Sequence, residues 1–231
     1  MAYFSDALSV AIQLILKFDP KVYEIVWTSL KISLIATTFS GLLSVFLGVW
    51  VGIKEFIGKT LVRHTLNTLM AMPTVMIGLI FYGLLSRKGP LGEFGLLYTE
   101  DAVILGEACL ILPIIMNMTL LAVDSADKRF LTTLKILGAK THQQIGLTLS
   151  ELRYVISAGI ITGFGRAIGE VGVAMMLGGN IQGVTRTMTT AIAMETGKGD
   201  FELGLALGIL LLLIALTVNL LFHLLKNKPE Y

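Results

Sequence analysis

The sequence predicts an all-α integral membrane protein with five transmembrane helices, and three observations predict it. Of 231 residues, 55% are hydrophobic and only 15% charged, with a mean hydropathy of +0.80, where a soluble domain carries about 25% charged residues. Five apolar runs, Trp27 to Ile53, Thr65 to Ser86, Ala102 to Val123, Tyr154 to Leu177 and Leu203 to Leu225, reach the roughly 20 helical residues that a bilayer core requires. None of these runs alternates as the strands of a closed barrel would, and an open sheet cannot span lipid at all.

The elements follow in chain order. Ser5, Ser9, Gln13 and Lys17 recur every fourth residue, with Phe4, Leu8, Ile12, Ile15 and Leu16 on the other side. That pattern predicts an interfacial helix over 1–18. A cleaved signal is the weaker alternative, because no basic residue precedes the stretch and no small-x-small site follows it. Asp19-Pro20 supplies an N-cap and a first-turn proline for the first span. Lys31 there and Glu107 in the third span sit near helix ends, so both are expected to snorkel to the interface. Gly48 with Gly52, and Gly204 with Gly208, have the small-xxx-small spacing of close helix contacts. Cys109 excludes an internal disulfide and is expected to be a small buried hydrophobe.

Residues 124–153 form the longest polar break. Phe130, Leu134 and Leu137 lie at helical spacing, Gly138 can end that helix, and Thr141 with Gln144 suits a capping box for a second short helix. The expectation is a compact helix–elbow–helix knob. With five spans, its side of the membrane receives ten Lys and Arg against six on the other. The richer side should be cytoplasmic, which puts the N-terminus outside and the C-terminus inside. Residues 1–231 are expected to form one membrane domain.

Several chemistries drop out. Gly58-Lys59-Thr60 imitates the end of a phosphate-binding loop, but Ile53 stands where its first glycine belongs and a membrane helix precedes it where a strand is needed. His64, His142 and His223 lack the spacing of metal or nucleophilic sites. No enzyme chemistry, cofactor, metal or nucleic-acid binding is expected on the chain; net charge is only +2.

Arg166 and Glu170 interrupt the fourth span. On a wheel drawn at 100° per residue, Gly159, Thr162, Gly163, Arg166, Gly169, Glu170 and Val173 share one face, while Ile161, Phe164, Ile168, Val171 and Met175 share the face that suits lipid. A lone mid-membrane arginine costs about 2.5 to 3.5 kcal/mol even on the mildest scale, so the charges are there for a purpose. Two purposes remain open and compatible: an ion pair that pins the helix, or a face lining a path for an anion.

Two stretches together resemble the membrane permease subunits of type I ATP-binding cassette (ABC) importers. "LTTLKILGAKTHQQIGLTLSELRYVISAG" resembles the family's coupling loop: Leu137, Gly138 and Ala139 match its elbow, Thr132, Thr133 and Leu134 replace its opening Glu-Ala-Ala, and Ser150 replaces a proline. "GFGRAIGEVGVAMMLGGNIQGVTRTMTTAI", 163–192, resembles the oxyanion branch carrying molybdate, tungstate, sulfate and phosphate, and most of all its tungstate permeases.

The resemblance implies a homodimer in the cell inner membrane, docked on a pair of cytoplasmic ATPase subunits and supplied by an extracytoplasmic oxyanion-binding protein. It implies that Phe130, Leu134, Leu137, Gly138, Ala139, Lys140 and Thr141 couple to the ATPase. It also implies that Arg166 and Glu170 within the fourth span, and Gly178, Gly179, Asn180, Thr185, Arg186, Thr187 and Thr189 in the loop after it near the outer mouth, line the substrate path. Backbone N–H groups, hydroxyls and amides would handle the anion without trapping it. A stand-alone secondary transporter is the rival class, weakened by the missing inverted repeat.

Overall fold

The computed structural model describes residues 2–226, and all regular structure among them is helical. Three expected spans are single long helices: α2 (Pro20–Ile53), α5 (Glu100–Ser125) and α11 (Phe201–Lys226). The second and fourth are broken, a correction to the reading of five unbroken rods. α3 (Lys59–Met70) and α4 (Thr74–Leu85) are parted at 71–73, where Pro73 offers no N–H and disfavours helical backbone in Met72. α8 (Arg153–Ile168) stops before Gly169, and the short α9 (Gly172–Gly178) resumes after Val171. α1 (Ala2–Leu16), α6 (Lys128–Ile136), α7 (Thr141–Glu151) and α10 (Met188–Lys198) complete the order. Up to five segments can cross a membrane if two bent pairs, α3 with α4 and α7 with α8, each count as one.

The chain divides into two compact units. The first comprises Met1–Ala36, Pro73–Glu107 and Ala167–Tyr231. Within it α1 packs along α11, α11 on α10, and α4 on α9. Ser5, Ser9, Gln13 and Lys17 face outward as expected, but Ala7 and Ala11 form the buried seam of α1, with Ile12 and Leu16 exposed. Small side chains allow the closest backbone approach. Asp19 caps α2, its Oδ1 accepting from the N–H of Lys21 at 2.9 Å and of Val22 at 3.3 Å. Lys31 pairs with Glu100 rather than merely snorkelling. Glu107 does not snorkel at all: it is 1% exposed, and Ser33 Oγ donates to it at 3.4 Å.

The second unit comprises Thr37–Met72 and Ala108–Arg166. A stripe of small residues every fourth position on α2 lets α5 lie against it. Ser40 Oγ donates to the carbonyl of Ala108 at 2.7 Å and Ser44 Oγ to that of Leu112 at 3.0 Å. A Cβ on Gly48 would stand 2.8 Å from Thr119 Cβ, and one on Gly52 would stand 2.7 Å from Val123 Cβ. The predicted contact at this glycine pair is therefore present, and larger residues would force the helices apart. Val49, Ile53, Val123, Ile145 and Ile156 close a core beside it. Cys109, expected inside, is exposed on α5.

The phosphate-loop look-alike proves to be a helix junction. Gly58 takes φ +111° to start α3, and Lys59 Nζ donates to the carbonyl of Gly52 at 2.7 Å. A cation thereby satisfies a carbonyl left open at the C-terminal end of α2.

Candidate functional site

Eight of the nine predicted pathway residues lie in the stretch 170–189 of the first unit, and hydrogen bonds bind it into one structure. Because the helix breaks at 169–171, the continuous wheel drawn for the fourth span does not carry past Ile168. Arg166 sits half-buried in the last turn of α8 and belongs to the second unit. Glu170 is buried, and its Oε1 accepts from the N–H of Val173 at 3.2 Å. A carboxylate so placed satisfies an open donor in the first turn of α9.

Gly179, at φ +68°, ends α9 with its N–H on the carbonyl of Met175. Asn180 follows at φ +54°, a left-handed conformation that asparagine tolerates better than most residues. Thr185 Oγ1 donates to the carbonyl of Gly178 at 2.5 Å and accepts from the N–H of Ile181 at 3.0 Å. Thr187 is the N-cap of α10, accepting from the N–H of Thr190 at 3.3 Å. Thr189 Oγ1 donates to the carbonyl of Glu170 at 2.6 Å. Since a hydroxyl has one proton to give, Thr185 and Thr189 spend theirs on the loop itself.

Uncommitted polar capacity lies at two neighbouring residues. Asn180 Oδ1 and Arg186 Nε are both buried without a hydrogen-bond partner. Arg186 Nη2 reaches the carbonyl of Asn180 at 3.4 Å and Nη1 reaches Gln182 Oε1 at 3.4 Å, so the guanidinium lies over this turn. Asn180 Nδ2 contacts only Met194 Sδ, at 3.2 Å. A half-turn of the amide would therefore present an N–H donor at little cost. A buried donor left open calls for an explanation, and an anion would satisfy the Arg186 Nε–H and, once the amide has turned, the Asn180 N–H.

Sequence reasoning missed two supports of this loop. Ser29 Oγ accepts from the N–H of Met188 at 2.6 Å. Its place four residues before Ser33, in the small-residue series of α2, was the available signal. Tyr98 gives its N–H to the carbonyl of Leu177 at 2.8 Å, and its ring lies where a Cβ on Gly179 would stand, 2.8 Å from Cδ1. Nothing in the local sequence announces that contact.

The second candidate surface is the helix–elbow–helix of 128–151, which forms as predicted. Gly138 takes φ +72°, and Ala139 donates its N–H to the carbonyl of Leu134 at 3.0 Å. The capping partners shift by one residue from the expected Thr141 and Gln144. Lys140 donates its N–H to Gln143 Oε1 at 2.8 Å, and Gln144 Nε2 reaches back to the carbonyl of Ala139 at 2.7 Å. Leu134 is buried and Phe130 half-buried, whereas Ile136 and Leu137 are 79% and 76% exposed. A surface groove of about 790 Å³ runs past Leu134, Leu137, Gly138, Lys140 and Leu147. α7 then meets α8 at a bend of 77°.

Known proteins similar in sequence identify the family. The chain is 38% identical to the tungstate uptake system permease protein TupB of Peptoclostridium acidaminophilum, over 99% of this chain and all of that one. It is 38% identical to TupB of Campylobacter jejuni over 97% and 94% of the two chains. It is 39% identical to a probable anion ABC transporter permease protein of Haloferax volcanii over 84% and 85%. Residues 44–230 match the family described as the binding-protein-dependent transport system inner membrane component. With its broken spans, knob and buried polar loop, this chain belongs to that family.

Proposed function

We propose that the chain is the permease subunit of a tungstate importer driven by ATP hydrolysis on a separate cytoplasmic subunit. The observation that carries this reading is its end-to-end similarity to two tungstate permeases. Two copies would enclose the path, with the N-terminus outside and the C-terminus in the cytoplasm. An external binding protein would deliver the anion. ATP binding would draw the ATPases and the two 128–151 knobs together and turn the path outward, a rigid-body switch of the kind packed helices support. Exposed Ile136 and Leu137 beside the Gly138 elbow suit the docking role, because exposed apolar patches of this kind mark partner surfaces.

Within the path, the Asn180–Arg186 turn is the proposed point of anion contact. Thr185, Thr187 and Thr189 hold it open from behind, and Glu170 anchors α9 below it. A dianion would meet an amide and one edge of a guanidinium, enough to orient it and too little to retain it.

The experiment is uptake into vesicles containing the complete importer. Asn180→Gly keeps the left-handed backbone comfortable while removing the amide, so uptake should fall about tenfold, the scale of a lost hydrogen bond to a charged group, with basal ATP hydrolysis unchanged. Molybdate should compete far better than phosphate. Equal competition by phosphate would overturn the tungstate assignment, and unchanged uptake would remove Asn180 from the path. A purified chain that captures no ATPase subunit would overturn the importer reading.

A further inference from the structure

α2 carries one pattern near each of its ends: Trp27 followed four residues on by Lys31, and Trp50 followed four residues on by Lys54. Both tryptophans are exposed, and the chain has no others. Standing 23 residues apart on one continuous helix, they are separated by about 35 Å at 1.5 Å per residue, which suits a hydrocarbon core of about 30 Å with an aromatic belt at each face. The pair therefore marks the two headgroup levels.

The two ends differ in what surrounds the lysine. Lys31 is neutralised by Glu100. Lys54 is exposed and has no carboxylate partner among the described residues, its Nζ reaching only Thr141 Oγ1, at 3.5 Å. Past Lys54 the chain turns back on itself: Lys59 donates its N–H to the carbonyl of Phe56 at 3.3 Å, and Gly58, at φ +111° and ψ −6°, takes the third place of a type II turn. Ile57 stands at the tip of that turn, fully exposed, with Phe56 and Leu61 exposed on either side. The turn stays at the level of the last turn of α2, because Lys59 Nζ is held on the carbonyl of Gly52 at 2.7 Å and beside Glu55 Oε1 at 3.1 Å. An apolar tip, a belt tryptophan and one open cation thus share one level.

Apolar side chains exposed in such a cluster are covered by something else. We propose that residues 50–61 form an anchor for an anionic phospholipid, its acyl chains against Trp50, Phe56, Ile57 and Leu61 and its phosphate on Lys54. Aromatic and aliphatic side chains flanking a lysine are the composition of interfacial anchors, and a headgroup phosphate supplies the countercharge that Glu100 supplies at the other end. On the orientation proposed above, this is the cytoplasmic leaflet. Since Lys54 touches Thr141 at the start of α7, a bound headgroup would lie against the knob. Neither the anchor nor its test depends on tungstate.

The test is tryptophan quenching in nanodiscs holding the full chain, with a varied fraction of the lipid brominated on its acyl chains, either zwitterionic phosphatidylcholine or anionic phosphatidylglycerol. Trp27→Phe leaves Trp50 as the reporter, and Trp50→Phe leaves Trp27. Trp50 should be quenched at about fivefold lower fraction of the anionic lipid than of the zwitterionic one, the worth of one lysine at an anionic surface, and the difference should shrink in high salt. Lys54→Gln should erase the preference, Ile57→Ser should weaken it severalfold, and Lys54→Arg should keep it. Trp27 should be quenched equally by the two lipids. Equal quenching of Trp50 in the unaltered Lys54 background would leave a lysine that merely snorkels and would overturn the anchor. A preference that survives intact in Lys54→Gln or in Ile57→Ser would overturn it too. If Trp50 shows no preference while Ile57→Ser loses capture of the ATPase subunit, the tip is a protein contact instead.

Discussion

The segments 170–190 and 128–151 invert the ordinary rule of protein interiors in opposite directions. In the first, Glu170, Thr185, Thr187, Thr189 and Thr190 are buried. In the second, Ile136, Leu137 and Leu147 are exposed. Buried polar groups are tolerable only when nearly all are hydrogen-bonded, and the first segment meets that demand residue by residue except at Asn180 and Arg186. Exposed apolar groups persist where something else covers them. On the function proposed above, the contrast separates a segment that works internally, with polar groups held open for an anion, from one that offers a surface to a partner.

The largest effect expected from testing that contrast is at Thr185. Replacing it with valine keeps the shape but orphans the carbonyl of Gly178 and the N–H of Ile181, at about 2–4 kcal/mol for one buried and one part-buried backbone group. Thermal unfolding in detergent should show a clear drop. A variant as stable as the parent would mean that the first segment is not held by its hydroxyls, and the contrast would collapse.

Glu170 gives the next largest effect. Glu170→Ala removes the acceptor for the N–H of Val173 and should cost about 1–2 kcal/mol, as lost caps do. Glu170→Gln keeps an acceptor oxygen there and should be close to neutral in unfolding. If glutamine is as damaging as alanine, the carboxylate acts through its charge and not as a cap.

At Gly138 the two regions should respond differently. An added Cβ meets no atom within 4 Å, so valine there pays only for φ +72°, about 1–2 kcal/mol for a left-handed residue. Binding to the ATPase subunit should fail while the rest of the chain melts normally. Normal substrate-stimulated hydrolysis with Gly138→Val would remove the elbow from the docking surface.

These differences bear on what the sequence alone disclosed. Long apolar runs announced α2, α5 and α11 because hydropathy over some 20 residues is a strong signal. The Gly138 elbow was legible because left-handed helix ends favour glycine. The break at 169–171 was not, since Gly169 and Glu170 fit a helical wheel as well as a helix end, and what ends α8 is tertiary: Glu170 turns to the α9 N–H, and Thr189 takes its carbonyl. The Thr-rich loop was found by composition, but which of its groups stay open depends on pairings between residues that are up to 159 positions apart, as Ser29 with Met188 shows. Cys109 was misjudged because a helix apolar on every side carries no mark of which face turns outward.

The smallest effect expected is at the ion pair through which α3 holds the end of α5 just before the 128–151 segment. Arg63 Nη2 lies 2.6 Å from Asp124 Oδ2, with both side chains partly exposed at 40% and 28%. Exposed pairs of this kind contribute roughly 0.2–1 kcal/mol and are screened by salt. Asp124→Asn should therefore lower the unfolding temperature by no more than a degree or two in low salt and by nothing measurable in high salt, with ATPase binding intact. The core of Val49, Ile53, Val123, Ile145 and Ile156 includes the chain neighbour of Asp124 and the α7 residue Ile145 and, on this account, carries the attachment of the knob to its unit. If Asp124→Asn instead abolished ATPase binding, the orientation of the knob would depend on one surface charge pair, and its helices would need to be regarded as a movable arm and not as a fixed extension of the core.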